Sequence, residues 1–503
     1  MTFSLDGMLT EIAASTPQAP AVTLDDLTLT FAELEARSAQ LANAMLVRGV
    51  VPGGRVAVLA RNSPAYYEIV FACAKVGAVM VGLNWRLSAR ELEAIIADAA
   101  PQLAFADKEF VANLHADVQF IETGSDYEAF IAEQDATTSA HSTDPHATVV
   151  QLYSSGTTGL PKGILISHDN LSPSAHAGEH LYGMSEASVN LVPSPLFHIG
   201  GLGYSLTAMT RGGHTVLVSE ASAGHLLKVI ETLRVTHTFL VPSLIQSLVD
   251  SEEIASSDLS SMEFVAYGGA PMSPSLMRKA TETIGSGFIA VYGMTETSGT
   301  VIAMLPEHIA AMTPELLKSI GKPLPWMGEA IVVDPGSLEV CEPDQVGEIW
   351  VRSRQVTDGY WHNDEATAEA IRSDGWLRTG DAAYCDQHGY FYLHDRIKDM
   401  IISGGENVYP AEVESVLVEH EAIAECAVIG VPDKRWGETV KAIVVLREGV
   451  DIDAQTLIAF CRANLAHYKC PTSVDFEKEL PKNASGKVLK KKLRQLFASD
   501  VSV

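Results

Sequence analysis

Positive charge is what this chain has least of. Its 503 residues carry 35 lysines and arginines against 63 aspartates and glutamates, a formal net charge of -28. Proteins that bind nucleic acid neutralise phosphates with clustered cations, so this balance excludes that class of partner. The one short basic run is Lys487, Lys490, Lys491, Lys492 and Arg494. Cysteine is also sparse. The six, at 73, 341, 385, 426, 461 and 470, form no C-x-x-C pair and no zinc-type cluster with histidine, which fits a reducing, cytoplasmic setting. No unbroken apolar run reaches the roughly 20 residues of a membrane span. The most apolar stretch, Tyr66 to Trp85, contains Glu68 and Lys75 and reads as a buried helix leading into a strand. Asp6 and Glu11 stand where a signal peptide would be basic and then apolar, so no leader is expected. Internal repeats and low-complexity linkers are absent as well.

What is present is the pattern of a layered α/β protein. At 47% hydrophobic and 19% charged residues the chain is too apolar for disorder. Its length predicts two to four compact units at about 150 residues each. Thr30 and Glu33 form a capping-box signature before an amphipathic run from Phe31 to Arg48, with Gly49 placed to end that helix. Ser88 and Glu91 repeat the signature before Leu92 to Ala100. Apolar strands are predicted at Arg55 to Ala60, Ala147 to Tyr153, Val189 to Val192, Thr215 to Val218, Thr238 to Val241, Phe264 to Tyr267 and Phe288 to Tyr292. Helical segments separate several of them. From Ala330 to His394 the texture changes to short strands and glycine turns, predicting a small β subdomain. Charge marks a further boundary: residues 398 to 503 are nearly neutral at -2, and residues 1 to 397 carry the remaining -26.

The strongest local signal is Tyr153-Ser154-Ser155-Gly156-Thr157-Thr158-Gly159-Leu160-Pro161-Lys162-Gly163, directly after a predicted strand. Small hydroxyl residues and glycines let backbone N–H groups approach a polyphosphate, and the terminal lysine adds a charge. Pro161 stands where a Walker A loop needs its second glycine, so the loop is of another kind. Taken alone it would read as a flexible linker; the preceding strand and the Pro-Lys-Gly ending favour a phosphate loop.

The loop resembles the signature of the adenylate-forming (AMP-binding) superfamily, which includes acyl-CoA synthetases, aryl-CoA ligases and adenylation domains. Four more motifs stand in the family's order: Tyr292-Gly293-Met294-Thr295-Glu296, Trp376-Leu377-Arg378-Thr379-Gly380-Asp381, Asp395-Arg396-Ile397-Lys398-Asp399 and Asn483-Ala484-Ser485-Gly486-Lys487. The resemblance covers almost the whole chain. It implies a large N-terminal domain, 1–397, of α/β sheet layers plus the small β subdomain, and a mobile, smaller α+β C-terminal domain, 398–503.

The resemblance also assigns roles. Glu296 would hold Mg2+ on ATP, with Ser154 a second oxygen ligand and Thr295 beside it; hard Mg2+ takes such donors together with phosphates. Ser154, Ser155, Gly156, Thr157, Thr158, Gly159 and Lys162 would surround the phosphates. Gly268, Gly269 and Ala270 would lie against the adenine ring, and Tyr292, Gly293, Met294 and Thr295 would bind ATP as well. Asp381 would accept the ribose hydroxyls, with Arg396 on the same nucleotide. Lys487 would bridge the substrate carboxylate and the α-phosphate. Lys398 falls at the hinge between domains, Gly404 and Gly405 on the loop that lines a CoA tunnel, and Trp436 on its wall. His198, in Pro195-Leu196-Phe197-His198-Ile199-Gly200-Gly201, would gate acyl pocket and thiol tunnel or act as base. Each of these also has a plainer reading: a solvated loop glutamate, a turn aspartate, a surface lysine, a satisfied buried histidine.

The expected activity is that of an ATP-dependent carboxylic acid:CoA ligase, making acyl-AMP and pyrophosphate and then acyl-CoA and AMP. The resemblance places the acyl pocket at Phe197 to Tyr204, Val241 to Ser243, Ala266 to Gly268 and Met294 to Met304, stretches without arginine or lysine. An apolar monocarboxylic acid, fatty, cyclic or aromatic, is therefore expected. Competing readings are an adenylation enzyme that loads a carrier protein and a non-catalytic descendant of the fold. Partners are the acid, ATP and CoA, with no nucleic acid and no membrane span; a homodimer is left open.

Overall fold

The computed structural model describes residues 3–112, 114–137, 144–154, 161–270, 272–310, 313, 316–396, 399–403, 406–433, 437–482 and 488–497. Its packing divides the chain into two units, Met1–Ala330 with Val351–Leu377, and Ile331–Trp350 with Arg378–Val503. The small β layer that the sequence reading grouped with residues 1–397 thus falls mostly in the second unit.

Two sheets organise the first unit. One has seven strands in the order Gly359–Tyr360, Lys162–Ser167, Thr148–Ser154, Val79–Gly82, Arg55–Leu59, Leu103–Ala106 and Phe120–Glu122. Its last five strands run parallel, whereas Thr148–Ser154 and Lys162–Ser167 form an antiparallel hairpin, to whose outer strand Gly359–Tyr360 adds. The other sheet has nine strands, among them Val189–Val192, His237–Leu240, Phe264–Gly268, Gly287–Met294 and Gly299–Met304. Phe264–Gly268 and Gly287–Met294 are parallel neighbours, and Gly287–Met294 turns back into Gly299–Met304 as a second antiparallel hairpin. These two hairpins carry the residues of the site.

Local sequence explains the helices that cover the sheets. Both predicted capping boxes form: Thr30 and Glu33 start Phe31–Val47, and Ser88 and Glu91 start Ala89–Ala99. Pro64 occupies the first turn of Pro64–Val76, where its missing N–H costs nothing. That helix leads into the strand Val79–Gly82, as expected. The two charges that interrupt its apolar run are buried in pairs. Glu68, 2% exposed, accepts from Arg37 Nε at 2.8 Å and from the Tyr127 hydroxyl at 2.6 Å, and Lys75 donates to Glu35 at 2.7 Å. A buried charge stays only where such a partner offsets its lost hydration. Among the described residues no helix is long and apolar enough to cross a membrane.

Glu329–Val333, Gly347–Arg352, Leu377–Cys385 and Phe391–Arg396 form a four-stranded sheet, the expected small β layer, most of whose residues belong to the second unit. A five-stranded sheet follows, built on the long hairpin Ile423–Asp433 and Gly437–Leu446. Helices Pro410–Leu417 and Ala454–Asn464 bury Val413, Leu417, Leu457 and Cys461 in its core. Lys490, Lys491, Lys492 and Arg494 of the basic run lie on the helix Lys490–Phe497, where Lys490 pairs with Glu414 at 2.9 Å and Arg494 with Asp399 at 2.6 Å. Two of its cations thus serve the packing of the unit itself.

Candidate active site

The signature loop springs from the first hairpin. Ser154 ends one strand and Lys162 begins the next, and the two face each other in register. Ser155, Gly156, Thr157, Thr158 and Gly159 lie outside the described residues. The loop is therefore anchored on two paired strands, and Ser154 and Lys162 are fixed at its base.

Glu296 sits on the second hairpin, in the turn Thr295–Thr297 between Gly287–Met294 and Gly299–Met304. The turn is tied internally: Met294 N donates to the Thr297 hydroxyl at 2.9 Å, which donates to Gly299 O at 2.8 Å. Ser298, at φ 51°, and Gly299, at φ 131°, supply the left-handed reversal. Glu296 is 7% exposed. Gly293 lies in the strand before the turn, and a Cβ there would meet Gly299 O at 1.9 Å. Likewise a Cβ on Gly268 would meet Val291 O at 2.4 Å, and Gly269 has φ 77°. Strand approach and backbone conformation thus demand these glycines even without a nucleotide. Tyr292 is buried in the same strand, and Ala270 follows Gly269 at an exposed position.

A segment that the sequence reading did not single out joins the two hairpins. Thr357 N donates to Glu296 O at 2.8 Å, and Gln355 Nε2 donates to Thr297 O at 3.2 Å and Thr300 O at 2.8 Å. The Tyr360 hydroxyl then donates to Glu296 Oε1 at 3.1 Å, and the Lys162 ammonium stands 4.7 Å from the centre of the Tyr360 ring. Trp361 N donates to Gly163 O at 2.7 Å and its indole to Asp98 O at 3.0 Å, while the Arg55 guanidinium lies 3.3 Å from the indole centroid. Residues 355–361 therefore connect the glutamate turn to the base of the signature loop. No local motif marks Tyr360: its strand is only two residues long.

His198 precedes the helix Ile199–Met209 as its N-cap residue. Its Nε2 is enclosed without a hydrogen-bond partner. Burial, and then the neighbouring Arg86 guanidinium, push its pKa down to about 4, so the imidazole is neutral near pH 7. The positive end of the helix acts in the same direction. Its ring packs 4.6 Å from that of Phe197, and Arg86, which no motif singled out, lies 4.3 Å from the ring centre of Trp85 and 5.9 Å from that of Phe197.

Three of the four stretches expected to line an acyl pocket contribute a residue to one apolar cluster, and Val241 to Ser243 does not. Tyr204, Ala266 and Ala303 belong to it together with Tyr182, Ile289 and Met327, and Phe239 packs against it. The Tyr204 ring stands edge-on to Tyr182 at 5.2 Å and tilted against Phe239 at 5.6 Å. At Gly200 a Cβ would lie 3.3 Å from Phe239 Cε1, a tight contact that glycine avoids.

Asp381 lies in the second unit, buried on Leu377–Cys385 and in register opposite Arg396. The backbone before it is held by Glu348, which accepts from Gly380 N at 3.0 Å, Arg378 Nε at 3.1 Å and Trp350 Nε1 at 2.9 Å. Lys398, Gly404, Gly405, Trp436 and Lys487 lie outside the described residues. Among the described residues no three His, Cys, Asp or Glu side chains cluster as a self-sufficient metal cage. A buried carboxylate beside the Tyr360 hydroxyl suits a cation that takes most of its ligands from phosphates and water.

The AMP-binding enzyme family matches residues 9–361, and the AMP-binding enzyme C-terminal domain matches residues 412–487. The chain is 40% identical to a feruloyl-CoA synthase of an Amycolatopsis species, over 96% of this chain and 97% of the relative. It is 35% identical to the fatty acid–[acyl-carrier-protein] ligase ScoC of Streptomyces coeruleorubidus, over 96% and 94%. Among solved structures, the o-succinylbenzoate CoA synthetase MenE of Bacillus subtilis, in complex with ATP and magnesium ion, aligns at a TM-score of 0.87 with 33% identity, covering 97% of this chain and 98% of that one. With both family domains matched and full-length relatives above 30% identity, the chain belongs to the AMP-binding enzyme family.

Proposed function

We propose that this enzyme is an AMP-forming carboxylic acid:CoA ligase whose substrate is an aromatic monocarboxylic acid. One observation carries the ligase reading beyond motif matching: Lys162 at the base of the signature loop and Glu296 on the neighbouring hairpin converge on a single residue, Tyr360. A cation and a carboxylate held close but apart suit a metal-bound triphosphate. Glu296 and the Ser154 hydroxyl are oxygen donors fit for Mg2+, which when bound there would neutralise phosphate charge.

The chain's own residues divide the work. A substrate carboxylate oxygen forms a bond to the α-phosphorus of ATP and pyrophosphate leaves; the CoA sulfur then attacks the acyl carbon, the acyl–phosphate C–O bond breaks, and AMP departs. Lys162 supplies charge to the phosphates in the first step. Lys487 is the proposed cation between carboxylate and α-phosphate, Asp381 and Arg396 the nucleotide contacts, and Gly268, Gly269, Ala270, Tyr292, Gly293 and Met294 the adenine side. Neutral His198 suits a gate that must not pair with the incoming carboxylate. We further propose that Lys398 is the hinge between domains 1–397 and 398–503, and that Gly404, Gly405 and Trp436 line the CoA path.

The aromatic preference rests on the Tyr182, Tyr204 and Phe239 rings gathered in this apolar cluster. Ring faces and edges attract one another beyond simple area burial. The feruloyl-CoA synthase relative favours the same choice and favours CoA over a carrier protein, though ScoC keeps the second acceptor in view. Six free cysteines support a reducing, cytoplasmic location. A homodimer is the remaining partner, and light scattering on the purified chain decides it. The test of substrate class is a coupled pyrophosphate assay over aliphatic, aromatic and dicarboxylic acids. Highest kcat/KM on an aromatic monocarboxylate supports the proposal; preference for a dicarboxylate or a long alkyl acid overturns it.

A further inference from the structure

We propose that Tyr360 is a positioning residue of the active site, which orients Glu296 through its hydroxyl and Lys162 through its ring. The inference rests on the proposed role of Glu296 as a metal-holding carboxylate and goes beyond it.

The geometry has three parts. First, the hydroxyl donates to one oxygen of a nearly buried carboxylate, at 3.1 Å. A hydrogen bond to a charged acceptor restricts how the carboxylate can turn. Second, the electron-rich ring faces the Lys162 ammonium at 4.7 Å, inside the range of a cation–π contact. Among the described residues Lys162 forms no ion pair with any carboxylate. A flexible lysine near a glutamate would ordinarily close onto it, and the two charges would then be spent on each other. The phenol instead holds one carboxylate oxygen through its hydroxyl and offers the ammonium its ring.

Third, Tyr360 itself is fixed. Its backbone pairs with Ile164 next to the signature hairpin, and its N–H donates to the Thr367 hydroxyl at 2.9 Å. The following residue is clamped harder still. The Trp361 indole is bonded to Asp98 O and covered by Arg55, and Arg55 Nε reaches Gln151 on the strand that leads into Ser154. The Tyr153 hydroxyl completes this group by donating to Asp98 Oδ2 at 2.6 Å. The phenol thus stands on the same framework that sets the base of the loop, so a shift of either hairpin would be felt by the other.

The test separates hydroxyl from ring. Tyr360→Phe keeps the ring and loses the donor; Tyr360→Leu loses both. Calorimetry with α,β-methylene-ATP, with and without Mg2+, reads binding apart from turnover, and Mg2+ titration of pyrophosphate release reads the catalysed step. Y360F is expected to raise the half-saturating Mg2+ about tenfold and to leave metal-free analogue binding within about twofold. Y360L should show the same metal shift and also weaken metal-free analogue binding about fivefold, because Lys162 loses its rest. Glu296→Gln isolates the underlying reading. If E296Q shifts the Mg2+ dependence and Y360F does not, Tyr360 has no positioning role while Glu296 keeps its own. If E296Q leaves Mg2+ dependence unchanged, both assignments fall. In the double variant the Y360F effect should vanish, since one acts through the other; full additivity would also overturn the proposal. Thermal melting of each variant accompanies the titrations, and a metal shift in Y360F at unchanged melting temperature excludes general damage.

Discussion

The Gly293→Ala substitution distinguishes a glycine required by packing from one required by a ligand. The added methyl carbon would lie 1.9 Å from Gly299 O, 2.7 Å from Gly299 C and 3.1 Å from Thr300 Cα, all backbone atoms of the partner strand. A carbon beside a carbonyl oxygen rests at roughly 3.3 Å or more, so the hairpin must part by more than about 1 Å. No flexible side chain is there to yield. Overpacking of this kind costs about 1–3 kcal/mol, and a ladder hydrogen bond lost with it about 1 kcal/mol more. Near 3 kcal/mol in total, at roughly 2 °C per kcal/mol for a large unit, the melting temperature should fall by about 6 °C. Because Glu296 follows three residues later on the same hairpin, kcat/KM should fall about a hundredfold, as expected for a displacement of order 1 Å at a reacting group. The assay is calorimetric melting beside pyrophosphate release, with Gly285→Ala as the reference. Gly285, unlike Gly293, has a positive φ, 75°, and an added Cβ meets nothing within 4 Å, so that variant should lose about 1 kcal/mol from backbone conformation alone and keep its activity. Wild-type melting with lost activity in G293A would refute the packing argument and return Gly293 to a purely ligand-contacting role.

Three further outcomes are expected. Burial pushes His214, whose Nε2 meets the Thr23 hydroxyl at 2.7 Å, down to about 4. Its folded pKa lies below the unfolded value of about 6.5, so its stability contribution is complete above pH 6.5 and is lost as pH falls toward 4. Urea midpoints should show a loss of about 2 kcal/mol at pH 5 that His214→Gln relieves; an equal loss in both proteins contradicts the assignment. Tyr204→Leu removes one ring from the Tyr182–Tyr204–Phe239 group and should move relative kcat/KM about tenfold toward bulkier ring acids, whereas an unchanged ratio in a competition assay removes Tyr204 from the pocket. Lys487→Ala should slow acyl-adenylate formation about a thousandfold, since a unit charge at about 4 Å is worth on the order of 4 kcal/mol at an effective dielectric near 20. Thioester formation from preformed acyl-AMP should survive that change, and equal loss in both half-reactions would disprove the role.

Much of the fold was legible because its signals are local. Capping at Thr30 and Ser88 is decided within one turn, and the strands at 189–192 and 264–268 are short apolar runs bounded by polar residues or glycine. The bases of the signature loop and of the glutamate turn were legible for the same reason. What escaped depends on distant partners. Glu68 and Lys75 look like interruptions of an apolar helix until Arg37, Tyr127 and Glu35 fold over them. Gly268 and Gly293 look like ligand glycines until the neighbouring strands are in place. Tyr360 reaches Glu296 across 64 residues of sequence from a strand of two residues, too short for any periodicity to register. Arg86 acts on His198 from the far side of the signature loop in sequence, again without a pattern.

The proposed reaction is activation of an aromatic acid as its adenylate and transfer of the acyl group to CoA. A single-turnover experiment with enzyme in excess over ATP, a phenylpropenoic acid, and then either CoA or a phosphopantetheinylated carrier protein tests it most directly. Aryl-AMP and one equivalent of pyrophosphate are expected before any thiol is added, with conversion of that adenylate to aryl-CoA and AMP on adding CoA. An adenylate that persists with CoA and is consumed only by the carrier protein would contradict it.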